Sequence, residues 1–178
     1  MHPRITELVD ALDRQRADLI RAVNEVPSSA RNRRPAEDRW SVAEVLEHLA
    51  LVEENVAPMV KRLIADQGAS GVGAEPDSTS VAETFDWGFM LDRSRKRVAR
   101  EAMQPRSGID AAAAWTHLER ARQITQETLR DLDGAALGNV SAPHPALGPL
   151  NGYQWFLFLA AHEGRHTAQI REIIASTV

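Results

Sequence analysis

The sequence predicts an all-α protein, a four-helix bundle with a long crossover between its second and third helices. Three observations predict it. Four long stretches place apolar residues at helical spacing with charged residues opposite. The segments between them are rich in Pro, Gly, Ser and charge, and none alternates as a convincing strand would. Finally, residues 66–109 separate the second and third helices, enough chain to cross the bundle so that these two helices run parallel, in an up-down-down-up arrangement.

The first helix covers residues 4–26, where Ile5, Leu8, Val9, Leu12, Leu19, Ile20 and Val23 form one stripe. The second has an explicit start. Ser41 and Glu44 make a capping box, and Trp40 with Val45 makes a hydrophobic staple. Pro58 lies inside this helix and predicts a kink or a break. Asp66–Ser80 reads as a flexible loop, and its glycines complete no phosphate-binding motif. Val81–Met103 carries Phe85, Trp87, Phe89, Met90 and Leu91, a short helical piece over the core. The third helix starts at the N-cap Asp110 and runs to Leu132. Asp133–Leu150 reads as a Pro/Gly loop holding His144, and the fourth helix spans 151–178 with Asn151 as its cap.

Composition narrows the function classes. A chain of 178 residues, 43% hydrophobic and 26% charged, fits one globular domain over 1–178. It has no cysteine, so disulfides, thiolate ligands and a cysteine nucleophile are absent. The N-terminus lacks a signal pattern, and the longest apolar run, Trp155–Ala161, is too short to span a bilayer. A soluble, cytoplasmic protein without membrane partners is expected. The net charge of −4 argues against nucleic acid. Two basic clusters, Arg31, Arg33, Arg34 and then Arg93, Arg95, Lys96, Arg97, Arg100, read as solvated surface.

The chemistry concentrates in the fourth helix. At about 100° per residue, Trp155, Leu159, His162, His166, Ile170 and Ile173 share a stripe. Imidazoles at i and i+4 stand about 5–6 Å apart at Cβ and can grip one metal ion; the alternative is a pair of core histidines. His48, about 60–80° from the centre of its own stripe, adds a third imidazole from the second helix. Three imidazoles leave a coordination position open, as in catalytic zinc sites, and also suit nickel, cobalt, iron(II) or manganese. His144 can approach this site from its loop but reads first as a loop residue with local hydrogen bonds, while His117 and His2 read as surface. His162-Glu163-Gly164-Arg165-His166 also matches the H-E-x-x-H of zincin proteases, with Glu163 as general base. Against that, only twelve residues follow His166, and an all-helical protein offers no edge strand to a peptide. Glu163 reads instead as a partner for a neighbouring arginine or a group behind the ligands.

The combination of Trp40-Ser41-Val42, His48-Leu49-Ala50, His144-Pro145-Ala146-Leu147-Gly148, Trp155 to His162 and Arg165-His166-x-x-Gln169-Ile170 resembles the DinB/YfiT-like superfamily of metal-binding four-helix bundles. The resemblance implies that His48, His162 and His166 form the metal triad and that dimers are common. It also implies that some relatives are S-transferases or isomerases using bacillithiol, mycothiol or glutathione. It carries no implication of DNA binding. The expected cofactors are a divalent transition metal, zinc or nickel first, and a low-molecular-weight thiol. The expected function is thiol transfer to a small electrophilic substrate, with the Arg93–Arg100 segment as the best guess for an anionic thiol. The alternatives are a non-catalytic metal-binding, dimerising bundle and a metal-dependent hydrolase. Tyr153, Leu157 and Gly164 suggest a dimer face on the fourth helix.

Overall fold

The computed structural model describes residues 1–68, 71–94 and 97–175. Arg95, Lys96 and the expected helix end at 176–178 lie outside the described residues. Four long helices, α1 (Pro3–Glu25), α2 (Val42–Ala65), α4 (Ala111–Asp131) and α5 (Gly152–Ala175), make the bundle. A short α3 (Trp87–Leu91) sits in the crossover.

Local chemistry sets the helix starts. Ser41 accepts from Glu44 N–H while the Glu44 carboxylate accepts from Ser41 N–H, so the capping box forms as expected. Asp110 caps α4 by accepting from Ala112 and Ala113 N–H. Asn151 and Gln154 exchange the same reciprocal pair of bonds at the start of α5. Pro58 does not break α2, which is one helix through Ala65; the surrounding packing of Val56, Ala57 and Val60 in the core carries the helix past it.

Side-chain bonds fix the helix directions. Arg4 lies over the Tyr153 ring and Arg171 donates to Asp18, so α1 and α5 run the same way. His117 meets Glu54 and Lys61 meets Asp131, so α2 and α4 also run together. Arg122 donates to the Leu12 carbonyl, and Leu19 and Val23 pack with Ala114 and Leu118 while Leu8 packs with Leu129, so α1 and α4 are opposed. The arrangement is up-down-down-up. The crossover makes it possible. It leaves α2, bonds to α1 through Arg4 to Asp77 and Thr79, follows α5 as far as Arg93–Glu172, and returns to α2 through Arg106–Glu47.

One element was not expected. Ser141–His144 (β1) and Gly148–Asn151 (β2) form an antiparallel hairpin. Its strands are four residues each and set Pro143 opposite Pro149, a pattern that argues against a strand. Two prolines face each other only where the ladder has no bonds to lose. Gly148, at φ +75°, supplies the left-handed residue that closes the turn.

The expected dimer face is also corrected. Tyr153 and Leu157 are 2% and 0% exposed, and a Cβ on Gly164 would lie 2.5 Å from Gln15 Oε1 and 3.1 Å from Leu91. That side of α5 is covered by α1 and α3. Among the described residues, no helix is long and apolar enough to cross a membrane.

The core is divided. One apolar cluster gathers Leu8, Leu12, Val56, Val60, Leu129 and Phe156; another gathers Leu19, Val23, Val45, Leu49, Leu118 and Ile170. Between them lies a layer of charge with one member from each long helix. Arg122 reaches Glu53 at 2.5 Å and Glu163 at 2.8 Å, and Arg16 reaches Glu163 at 3.0 Å and Glu53 at 3.3 Å. Two guanidiniums balance two carboxylates. Burial works against the charge on Arg122, yet Glu163 and Glu53 hold it above the usual arginine value. Removing one partner from such a layer leaves a buried charge uncompensated. Arg122→Ala is therefore expected to cost about 3–5 kcal/mol, measured by urea unfolding at pH 7; a loss under 1 kcal/mol would contradict this reading.

Candidate metal centre

The positions of the three histidines follow from helix phase. Glu163 faces the charge layer, and its neighbours His162 and His166 come out on the side of α5 that meets α2. His48, on the second turn of α2, meets them there, with its Nε2 3.2 Å from His162 Nε2. One ligand atom from each of the three imidazoles lies within 4.8 Å of the others. Two nitrogens bound to one tetrahedral zinc at about 2.0–2.1 Å stand about 3.3 Å apart. The spacing fits a shared cation.

The surrounding bonds fix the tautomers. His48 Nδ1–H donates to the Met103 carbonyl at 2.6 Å, and His166 Nδ1–H donates to Gln169 Oε1 at 2.7 Å. A carbonyl oxygen can only accept, so both rings present Nε2 as a lone pair. Oriented imidazoles backed by an oxygen are the usual support of metal ligands. Trp40 covers the group, its ring 4.9 Å from His48 and stacked 6.3 Å from His166. His48 is 5% and His166 8% exposed. Burial, then the neighbouring imidazoles, holds His162 well below the usual histidine range; burial does the same for His166, helped by His48. The rings stay neutral at pH 7, the form that binds a metal.

The triad opens on a cavity of about 1000 Å³. Trp155 and Phe158, on the two turns of α5 before His162, line it, and the hairpin contributes His144. Arg39, Arg93, Arg97, Arg100 and Arg165 line it as well, so Arg93, Arg97 and Arg100 are cavity residues and not merely solvated surface. The sequence pattern concealed this because the crossover folds back over the site, which no local signal announces. Met103 was missed for the same reason: it acts through its carbonyl, and no side-chain pattern marks a carbonyl. Trp40, expected only as a staple, doubles as a cover.

The remaining histidines are placed apart from the triad. His144 Nδ1 accepts from Ala146 and Leu147 N–H and so closes the hairpin turn, while its ring packs on Trp155 and Phe158. His117 is half-buried against Glu54, and His2 caps α1. Glu163 is held by Arg16 and Arg122, the arginine-partner role expected for it, and is not free as a general base. The zincin reading loses its base.

Burial, with Arg100 and Arg97 adding to it, pushes His144 down to about 4, and burial also lowers His48. With folded-state values depressed below the 6.5 of an unfolded histidine, the unfolded chain binds more protons in that window, so stability falls as pH falls. The melting temperature of metal-free protein is expected to drop between about pH 6.5 and 4. A flat profile between pH 7 and 5 would contradict neutral, buried imidazoles.

Comparison with known proteins agrees with this architecture. The uncharacterized protein YuaE of Bacillus subtilis (strain 168) is 27% identical over 149 residues, which span 80% of this chain and 82% of YuaE. The crystal structure of TT2238, a four-helix bundle protein, superposes with a TM-score of 0.59 at 22% identity, covering 94% of this chain and 98% of that one; at that identity the likeness shows the fold alone. The sequence profile of the DinB superfamily matches residues 11–170. The chain belongs to the DinB superfamily.

Proposed function

We propose that the protein is a metal-dependent transferase, in which His48, His162 and His166 would hold a divalent transition metal and a low-molecular-weight thiol is joined to a small electrophile. The observation that carries this reading is the opening of the triad onto a large cavity. A metal that served only to pin α2 to α5 would have no need of that space. Bound there, a divalent ion would supply positive charge and an open position that favours the deprotonated form of a thiol.

The chain's own groups do the rest. The Met103 carbonyl and Gln169 hold two imidazoles by their Nδ1–H, so that Nε2 faces the ligand position. Trp155 and Phe158 give an apolar wall that keeps water from the electrophile, and the arginines give the cavity a positive field. A zincin-type hydrolase would need a base beside the triad, and Glu163 is engaged elsewhere.

Elemental analysis by mass spectrometry tests the triad. Near-stoichiometric metal in the wild type, with strong loss in His48→Ala and in the His162→Ala/His166→Ala double variant, is expected. His48 lies at the edge of its helix stripe, so His48→Ala should keep its helical circular dichroism. Full metal content in His48→Ala would remove His48 from the ligand set. Activity is tested by mixing metal-loaded protein with bacillithiol, mycothiol or glutathione and chlorodinitrobenzene. Conjugation lost on chelation is the expected result; metal that raises only the melting temperature, with no conjugation by any thiol, would reduce the site to a structural one.

A further inference from the structure

The cavity is polar and charged in an uneven way. Among the described residues its lining holds five guanidiniums, Arg39, Arg93, Arg97, Arg100 and Arg165, against two carboxylates, Asp38 and Glu172. The carboxylate of Glu172 is already shared by Arg93, at 2.6 Å, and Arg39, at 3.6 Å. Arg97 is held differently. It donates to the Phe89 carbonyl at 2.8 Å and to Met90 Sδ at 3.2 Å, and lies 4.4 Å from the centre of the Phe89 ring. These neutral contacts aim the guanidinium without cancelling its charge. Arg100 is exposed on the same segment.

The excess charge is felt by another group of the cavity. Beyond burial, Arg100 and Arg97 act together to depress His144. Guanidiniums gathered beside a cavity repel one another unless an anion joins them, and their planar forks match the oxygens of carboxylates and phosphates. The same cavity carries a wall of opposite character, Trp155 and Phe158, with ring centres 5.7 Å apart. Trp155 Nε1 is buried without a hydrogen-bond partner.

We infer that the small molecule taken by this cavity is an amphipathic acid, its carboxylate or phosphate group held by Arg97 and Arg100 and its apolar body lying against Trp155 and Phe158. This names a chemical class for the substrate of the proposed transferase and rests on the cavity being its substrate site. Charge selects the ligand at one part of the cavity, while the apolar wall selects its body. The histidine triad lies beside that wall, with the Phe158 and His162 rings 5.3 Å apart.

The test uses full-length, metal-free protein, so that an acid cannot register merely by binding a metal. Cinnamate, phenyl phosphate and neutral cinnamide are titrated by calorimetry and by tryptophan fluorescence. At least one of the two anions is expected to bind at least tenfold tighter than cinnamide, and whichever does names the oxyanion. Arg97→Gln/Arg100→Gln should abolish that preference, and Arg97→Lys/Arg100→Lys should keep most of it. Arg100→Gln alone, at an exposed position, tests the charge in a protein whose fold it does not touch, and should reduce the preference several-fold. Equal affinity for anion and amide, no binding of any probe, or a preference unchanged in the glutamine variants would overturn the inference. Because no metal or thiol is present, this result is independent of the conjugation assay: an acid-selective cavity without conjugation would sink the transferase reading alone.

Discussion

The buried layer of Arg16, Glu53, Arg122 and Glu163 is the constraint on which the rest of the structure depends. Amphipathic helices of similar length can slide and rotate against one another at little cost when their stripes are uniformly apolar. Four charges, one per long helix, remove that freedom, because each must find two partners in the interior. Satisfying Glu163 at the centre of the bundle turns His162 and His166 to the groove between α5 and α2. Satisfying Glu53 sets the height of α2 and brings His48 to the same level. The histidine cluster inherits its register from ion pairs that lie outside it.

Much of this was legible in the residues, and the reasons differ by element. Ser41 and Glu44 announced α2 because a capping box is a local device. The triad was legible because helical period converts the spacing of His162 and His166 into direction, and of the kink or break that Pro58 allows, the break is absent because core packing can override the local penalty for an interior proline. The hairpin was hidden by Pro143 and Pro149, which weaken any strand signal while being harmless at a non-bonded pair. Tyr153, Leu157 and Gly164 form an outer face only in a bundle of four helices alone, and α3 of the crossover adds a layer over α5.

The pentapeptide from His162 to His166 shows how little a short motif determines. In a zincin the central glutamate serves the metal-bound ligand; here the same spacing places Glu163 between two guanidiniums. Neighbouring helix positions differ by about 100° in direction, so one residue of a motif can belong to the core while its neighbours belong to a cavity. Chemistry follows the direction of the side chain, not its place in the string.

The bond from His48 to the Met103 carbonyl joins a triad imidazole to the segment that returns the chain to α4. A carbonyl that accepts from the imidazole makes its other nitrogen a better donor, so the backbone at 103 takes part in the electronic state of the site. By reciprocity, whatever strengthens that imidazole's grip on a cation also strengthens its hold on the backbone. A cation held by the triad would therefore also tighten the crossover's hold on α2 at Met103.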